Sequence, residues 1–432
     1  MEPTLTRGRD PAAAQPYIHN TAINIAGESL WGLQAALVAP ATVLTVLLAS
    51  LQASEMTIGS IAAIEGGLIV APQILGNYLF HSRRHRKRDL MLWHFVVILP
   101  LLFVMAALAC PAFPTAAAAR RLGLLAAFAL FISGIGVATP AWADWLAFLF
   151  PQQRRGMVMG VTWFSASVAA AGGALLSGWA INNWPGMSTY AWLYAGAGLL
   201  AYASLAVFCF MNDAEAAAAP PTLPPRTADL LRRFRDSLGD RNFRAFLVGR
   251  VLATAGFCMV PFIAVYYISA QGGGMARGTV VSSGAAQAVG MALSGLLLGR
   301  LGDERGHRLG MLIGVATQVG ALALILLSSG LWSCLVAYFG VGVCISVGMV
   351  SHFNMLFETC PHDARMAHIT VGNTVISVAA IGAPLLAGLV AGTWGLKPLF
   401  AICLALSVLA LLWFVMLVKE PRDENLLAAC RT

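Results

Sequence analysis

The chain has 432 residues, of which 59% are hydrophobic and only 11% charged. A soluble protein of this size carries about twice that charge, so the composition excludes an ordinary soluble globular domain. The net charge of +8 lies mostly in short stretches between apolar runs, where it bears on membrane orientation and not on nucleic acid.

The opening segment, MEPTLTRGRDPAAAQP, is polar and proline-bearing, unlike a cleavable signal. Beyond it, apolar runs long enough to cross a hydrocarbon core as helices recur along the chain. Twelve are predicted. The first six cover 23–50, 58–80, 90–110, 121–147, 156–181 and 189–211. The second six cover 244–268, 278–299, 309–328, 331–355, 366–391 and 398–418. The predicted class is an all-α polytopic membrane protein.

Between the two sets, residues 212–243 form the one long polar interruption. AEAAAAPPTLPP reads as a flexible or polyproline-like linker. TADLLRRFRDSLGDRNFR alternates apolar and charged residues at helical spacing, which suits an amphipathic helix on the membrane surface. The expected organisation is a tail (1–22), a six-helix bundle (23–211), the linker (212–243), a second bundle (244–418) and a tail (419–432).

Basic residues test this count. With both termini on the cytoplasmic side, 22 of the 27 Lys and Arg fall in cytoplasmic segments; the others are Arg120, Arg121, Arg277, Lys397 and the intramembrane Arg250. That strong bias satisfies the positive-inside rule and places both termini in the cytoplasm of a bacterial inner (plasma) membrane protein. The eight cysteines are scattered with no Cys-x-x-Cys pair and read as small packing residues.

The two halves repeat weakly. Pro151 and Arg155 match Pro361 and Arg365, and Gly172 and Gly178 match Gly382 and Gly388 at the same spacing. Asn20 and Gly27 likewise match Asn242 and Gly249, and Gly76 matches Gly299. In this order they indicate a duplicated six-helix unit, the architecture of many secondary transporters.

Gly299–Arg308, GRLGDERGHR, joins two predicted membrane helices. Its glycines permit a tight turn, Asp303 can accept from the free amides of a helix N-terminus, and Arg305 and Arg308 suit an anionic membrane face. The string resembles the signature loop of the major facilitator superfamily through Gly299, Leu301, Asp303, Gly306 and Arg308. The resemblance implies two bundles rocking about a central cavity lined by helices 1, 4, 7 and 10. The matching loop of the first half, GNYLFHSRRHRKR (Gly76–Arg88), departs from the pattern with Phe80 in place of the acid. By the repeat, Asp303 is expected to dock near the start of the fifth helix, around 154–156.

Charges within membrane helices are costly unless paired or wet, so each is a functional candidate. Glu28, Asp144 and Arg250 lie in the first, fourth and seventh predicted helices, and His352, Asn354 and Glu358 in or near the tenth. Glu28 and Arg250 each follow a repeat glycine, at roughly 10–12 Å from the start of their helices at 1.5 Å per residue. Opposite charges at equivalent places suit a site for solute and proton, or a gate formed by an interdomain salt bridge. Asp144 pairs by position with Asn354. Trp142 beside Asp144 suits either a stacking surface or an interfacial belt, and Trp145 the belt. Glu65, before Gly66 and Gly67, is expected at a close helix contact. His94 reads as a packing residue.

No nucleophile elbow, phosphate-binding glycine loop or metal-spaced His/Cys cluster occurs, so neither an enzyme nor an ATP-driven pump is indicated, and no cofactor is implied. The leading expectation is a monomeric secondary transporter moving a small solute, with protons as coupling ion. The fifth helix lacks the Gly-Pro pair typical of the superfamily's drug/proton antiporters. Two other readings stand beside it: a transporter-like scaffold or sensor, and a transition-metal carrier using His352, Glu358, Asp144 and Met349.

Overall fold

The computed structural model describes residues 11–80, 86–150, 152–213, 238–359 and 365–421, and within these the side chains of 11–16, 86, 152, 153, 303, 357 and 365–370 lie outside the description. Among the described residues all regular structure is helical, and twelve helices are long and apolar enough to cross a membrane. They are α1 (Tyr17–Ser50), α2 (Glu55–Phe80), α3 (Lys87–Ala109), α4 (Ala117–Leu149), α5 (Arg154–Asn183) and α6 (Met187–Phe208), then α7 (Arg241–Ile268), α8 (Arg277–Gly302), α9 (His307–Leu327), α10 (Leu331–Leu356), α11 (Val371–Trp394) and α12 (Leu396–Leu417). Each matches a predicted span. The expected amphipathic linker helix falls almost entirely outside the described residues.

The helices start and break where their residues dictate. Ser54 caps α2 by accepting from Thr57 N, and Asp240 caps α7 by accepting from Phe243 N at 2.6 Å; such caps satisfy amides that the first turn leaves free. Ala39 turns extended ahead of Pro40, because the proline ring excludes the helical conformation from the residue before it. α7 breaks at Cys258 and Met259, just ahead of Pro261. Wide π turns interrupt α3 at His94–Ile98 and α10 at Gly348–His352.

Packing repeats between the halves. α1 lies against α5 and α6 as α7 lies against α11 and α12; α4 contacts α2 and α3 as α10 contacts α8 and α9; α3 meets α6 as α9 meets α12. The predicted repeat residues do matching work. Asn20 donates to Asn212 O at 2.9 Å and accepts from Asn212 N at 2.8 Å, tying the start of α1 to the chain leaving α6. Asn242 donates to Lys419 O at 3.1 Å and accepts from Lys419 N at 2.9 Å, the same clasp between α7 and the chain leaving α12. Gly27 seats the ring of Phe208, and Gly249 that of Phe414.

Large apolar side chains stand exposed along the helices, among them Ile74, Leu327 and Met416. In water they would make an untenable surface; against lipid tails they cost nothing. Trp184, Trp192, Trp332 and Trp394 are exposed at helix ends on one face, forming an interfacial aromatic belt. This is the far face, opposite the terminal face where the described chain begins and ends. Cys258 and Cys403 bring their Sγ atoms to 3.7 Å between α7 and α12, both buried and free, which accords with packing.

Candidate functional site

The halves close on each other at the far face. On one side α5 meets α8: a Cβ on Gly178 would overlap the carbonyl oxygen of Gly278. Asn182 locks this contact, accepting from Gly278 N at 3.0 Å and donating to Thr279 Oγ1 at 3.2 Å. On the other side α2 meets α11: a Cβ on Gly59 would overlap the Pro384 carbonyl, and one on Gly388 would lie 2.7 Å from Met56 Cα. The repeat partners Gly178 and Gly388 thus serve equivalent contacts. Val260–Ile268, the last segment of α7, packs between them on α1 and α2.

Toward the terminal face the halves part. One hydrophobic core runs through the first half and on into the far-face ends of α7, α10, α11 and α12. The terminal-face part of the second half has a separate core around Phe243, Phe246, Met311 and Phe414. Gly156 and Gly160 on α5 and Gly299 on α8 face open space. Among the described residues the tightest contacts between the halves therefore lie at the far face.

Two charged side chains, Glu28 and Arg250, stand on the interior without partners among the described residues, and a third, Glu65, is unpartnered but exposed. Glu28 on α1 is half-buried and surrounded by protein, yet makes no hydrogen bond or ion pair. Its neighbours are accounted for: Asn24 donates to Thr162 Oγ1 at 2.9 Å, and Ser29 is 2.7 Å from Ser165 Oγ. Glu65 on α2 is exposed. The close contact expected there is present, carried by Gly66 against Ala380 and Gly67 against Ile381; Glu65 makes no hydrogen bond across it. Arg250 on α7 has a buried Nε with no acceptor. Glu28 and Arg250 occupy equivalent positions and form no ion pair in this state.

Arg250 borders a pocket of about 160 Å³ between α7, α9 and α10. Thr254, Gln318 and Cys344 supply polar atoms to its wall, and Phe257, Met311 and Val315 apolar ones. Gly348, at the π turn of α10, completes it. Wide turns of this kind recur at functional sites, because they remove a helical hydrogen bond and re-aim side chains.

The remaining predicted residues divide. Trp145, expected in the interfacial belt, is instead 0% exposed; with Trp142 and Phe208 it forms a packed aromatic cluster whose ring centroids lie 4.8–6.5 Å apart. Trp142 also meets His94, so its ring is occupied by neighbours and does not offer an open stacking face. His94 donates from Nδ1 to Leu90 O, 2.7 Å away, as a packing histidine should. Asp144 is exposed. His352 is buried, stacked on Phe246 at 5.7 Å and with Asn373 of α11 beside it. Asn354 donates to Val350 O of its own helix. Glu358 is half-buried at the end of that helix. The carrier set His352, Glu358, Asp144 and Met349 is not assembled: Met349 is exposed while His352 faces the core. Among the described residues no three His, Cys, Asp or Glu side chains converge as metal ligands.

Residues 274–429 match the family model of the Major Facilitator Superfamily. No curated protein matches the chain. Among solved structures, the nucleoside transporter NupG (D323A mutant) is similar over 94% of this chain and all of its own, with 13% identity and a TM-score of 0.68. The xylose transporter XylE from E. coli, in an inward-open conformation, covers 94% of this chain and 97% of its own, with 16% identity and a TM-score of 0.67. A POT family transporter in complex with 5-aminolevulinic acid gives 96%, 98%, 13% and 0.64. The chain has the major facilitator superfamily fold. NupG, XylE and the POT family protein, which share it, are transporters.

The loop Gly299–Arg308 is held here by contacts the sequence did not announce. Arg308 points its guanidinium at Phe414 O and Val415 O, 3.2 and 2.8 Å away, covering the last carbonyls of α12. Glu420 accepts from Arg308 N at 2.9 Å, capping α9, and its carboxyl fills the space beside Gly306, whose φ of 82° favours glycine. Arg305 is exposed, and Arg300 pairs with Glu304 at 3.0 Å on the surface, where such a pair adds little. The Asp303 side chain, expected to dock near 154–156, lies outside the described residues. At that end of α5, Arg155 donates to Phe150 O at 3.2 Å and to Ala147 O, and Arg154 lies over the Tyr17 ring at 5.1 Å.

Proposed function

We propose that this protein is a secondary active transporter that moves a small solute by alternating access, coupled to protons. The observation that carries this reading is an interior holding Glu28 and Arg250 without partners among the described residues, in a molecule whose halves meet tightly at the far face and are read as open at the other. Unpaired charge in a membrane interior is expensive and persists where function uses it. The terminal face is read as cytoplasmic on the distribution of Lys and Arg, which makes this the inward-open state and the membrane a bacterial inner membrane. The chain is read as working as a monomer, with the bundle boundaries at 23–211 and 244–418.

When the halves close at the terminal face, Glu28 and Arg250 are carried toward one another. A closed interior tolerates two balanced arrangements. In one, the two side chains pair; in the other, Glu28 is protonated and Arg250 is neutralised by the solute. Mixed states leave one buried charge uncompensated, at a cost of several kcal/mol. Coupling follows from that exclusion. Glu65 is a second acid available for the proton.

The test is flux in proteoliposomes. Purified protein, a panel of radiolabelled small solutes and an imposed pH gradient are expected to give accumulation that collapses with a protonophore. Solute binding without gradient-dependent flux would instead indicate a sensor on a transporter scaffold.

A further inference from the structure

Resting on the transporter reading above, we infer that the transported solute is an organic monoanion, a carboxylate on a short apolar body, with its charge held by Arg250 in the pocket between α7, α9 and α10. Three observations converge. Arg250 lines the pocket and makes no hydrogen bond or ion pair among the described residues, so the pocket presents one cation in need of an anion; a planar fork of N–H donors matches a carboxylate in a bidentate pair. No acidic side chain lines the pocket, so an ammonium group bound there would find no counter-charge, and a dianion would find one cation for two charges.

The remaining wall is mixed in a way that fits the rest of such a molecule. Thr254 lies one helical turn beyond Arg250, on the same side of α7, and carries a hydroxyl able to donate to a carboxylate oxygen. Gln318 is held in place by its own bonds to Ala253 O at 3.1 Å and Ser407 Oγ at 2.8 Å, and so acts as a rigid wall. Phe257, Met311 and Val315 present the apolar surface. A volume of about 160 Å³ admits a group several times larger than one water, enough for a carboxylate and a short aliphatic or aromatic body. A charge paired in such a half-dry pocket discriminates strongly against neutral isosteres, because these leave the guanidinium unpaired.

The experiment compares matched ligands on the purified full-length protein by thermal stabilisation and direct binding. Benzoate and butyrate are set against benzamide, butyramide and benzylammonium. The carboxylates are expected to stabilise the protein and the amides and the amine to leave it unmoved. Arg250→Gln is expected to weaken benzoate binding by at least about thirtyfold, and Arg250→Lys, which keeps the charge, to weaken it less. The ligand comparison on the unaltered protein stands even if Arg250→Gln does not fold. Equal stabilisation by benzamide and benzoate, or none by either carboxylate, overturns the assignment. Uptake in vesicles is read separately. Carboxylate binding without flux would overturn the transporter reading and leave the pocket intact. Proton-driven flux of a neutral solute, without carboxylate binding, would do the reverse.

Discussion

Glu28 and Arg250 stand at equivalent places in the two halves, each one residue past a glycine that seats a phenylalanine ring, and in this state neither has a partner. Opposite charges on a pseudo-two-fold pair are informative because, in the proposed transport cycle, rocking of the halves would change their separation without refolding either helix. The prediction is energetic coupling. Glu28→Gln and Arg250→Gln each impair transport, and the exchanged pair Glu28→Arg with Arg250→Glu recovers part of it. A double-mutant cycle on transport rates is expected to show a coupling of about 0.5–3 kcal/mol; additive losses would show that the two act independently.

The far-face clamp depends on missing side chains. A β-carbon on Gly178 would meet the backbone of Gly278, and a valine there forces α5 and α8 apart. Gly178→Val is therefore expected to shift the population away from the state described here. The readout is disulfide trapping between cysteines placed at Ala174 and Gly284, where a β-carbon on Gly284 would lie 3.5 Å from the Ala174 Cβ, within disulfide reach. Trapping should be efficient in an otherwise unaltered background and fall several-fold with Gly178→Val. Asn182→Ala, which loses two hydrogen bonds across the contact, should shift accessibility at the far face in the same direction.

Much of this was legible in the sequence. Spanning helices declare themselves by length and apolarity, and the repeat pairs Asn20/Asn242, Gly27/Gly249 and Gly178/Gly388 were visible from spacing alone. Their tasks were not, because the partners are backbone atoms far along the chain: Asn212, Lys419, Gly278. Asn182 and Glu420 were missed for the same reason. The surroundings of His352 were not legible either: it ends the π turn at Gly348–His352 and is buried against Phe246, a partner far back in the chain. For Trp145, a membrane belt and a buried aromatic core ask for the same residue type, and only packing against Phe208 decides between them.

The two asparagine clasps give a graded stability test. They make the same pair of bonds, but Asn20 is only 4% exposed while Asn242 is half-buried. Removing a side chain from a buried backbone pair leaves donors and acceptors unsatisfied, at about 1–3 kcal/mol, whereas water replaces them at an exposed site. Asn20→Ala should thus lower the thermal midpoint of the purified protein more than Asn242→Ala does. Equal effects would mean that water reaches both clasps alike.

The last prediction concerns the signature loop. Glu420 caps α9 through Arg308 N and occupies the space above Gly306, where a β-carbon would collide with its carboxyl group. Two substitutions separate the cap from the turn. Glu420→Gln keeps the shape and an acceptor oxygen but removes the negative charge opposite the positive end of α9, which should cost about 0.3–1 kcal/mol. Gly306→Ala displaces the Glu420 carboxyl and also forces a side chain into a backbone conformation with φ of 82°, adding a strain of about 1–3 kcal/mol. The glycine variant should therefore be the less stable of the two in a thermal melt. In the double variant the losses should be less than additive, because Gly306→Ala already displaces the cap that Glu420→Gln weakens. Full additivity would place the Glu420 carboxyl away from the loop.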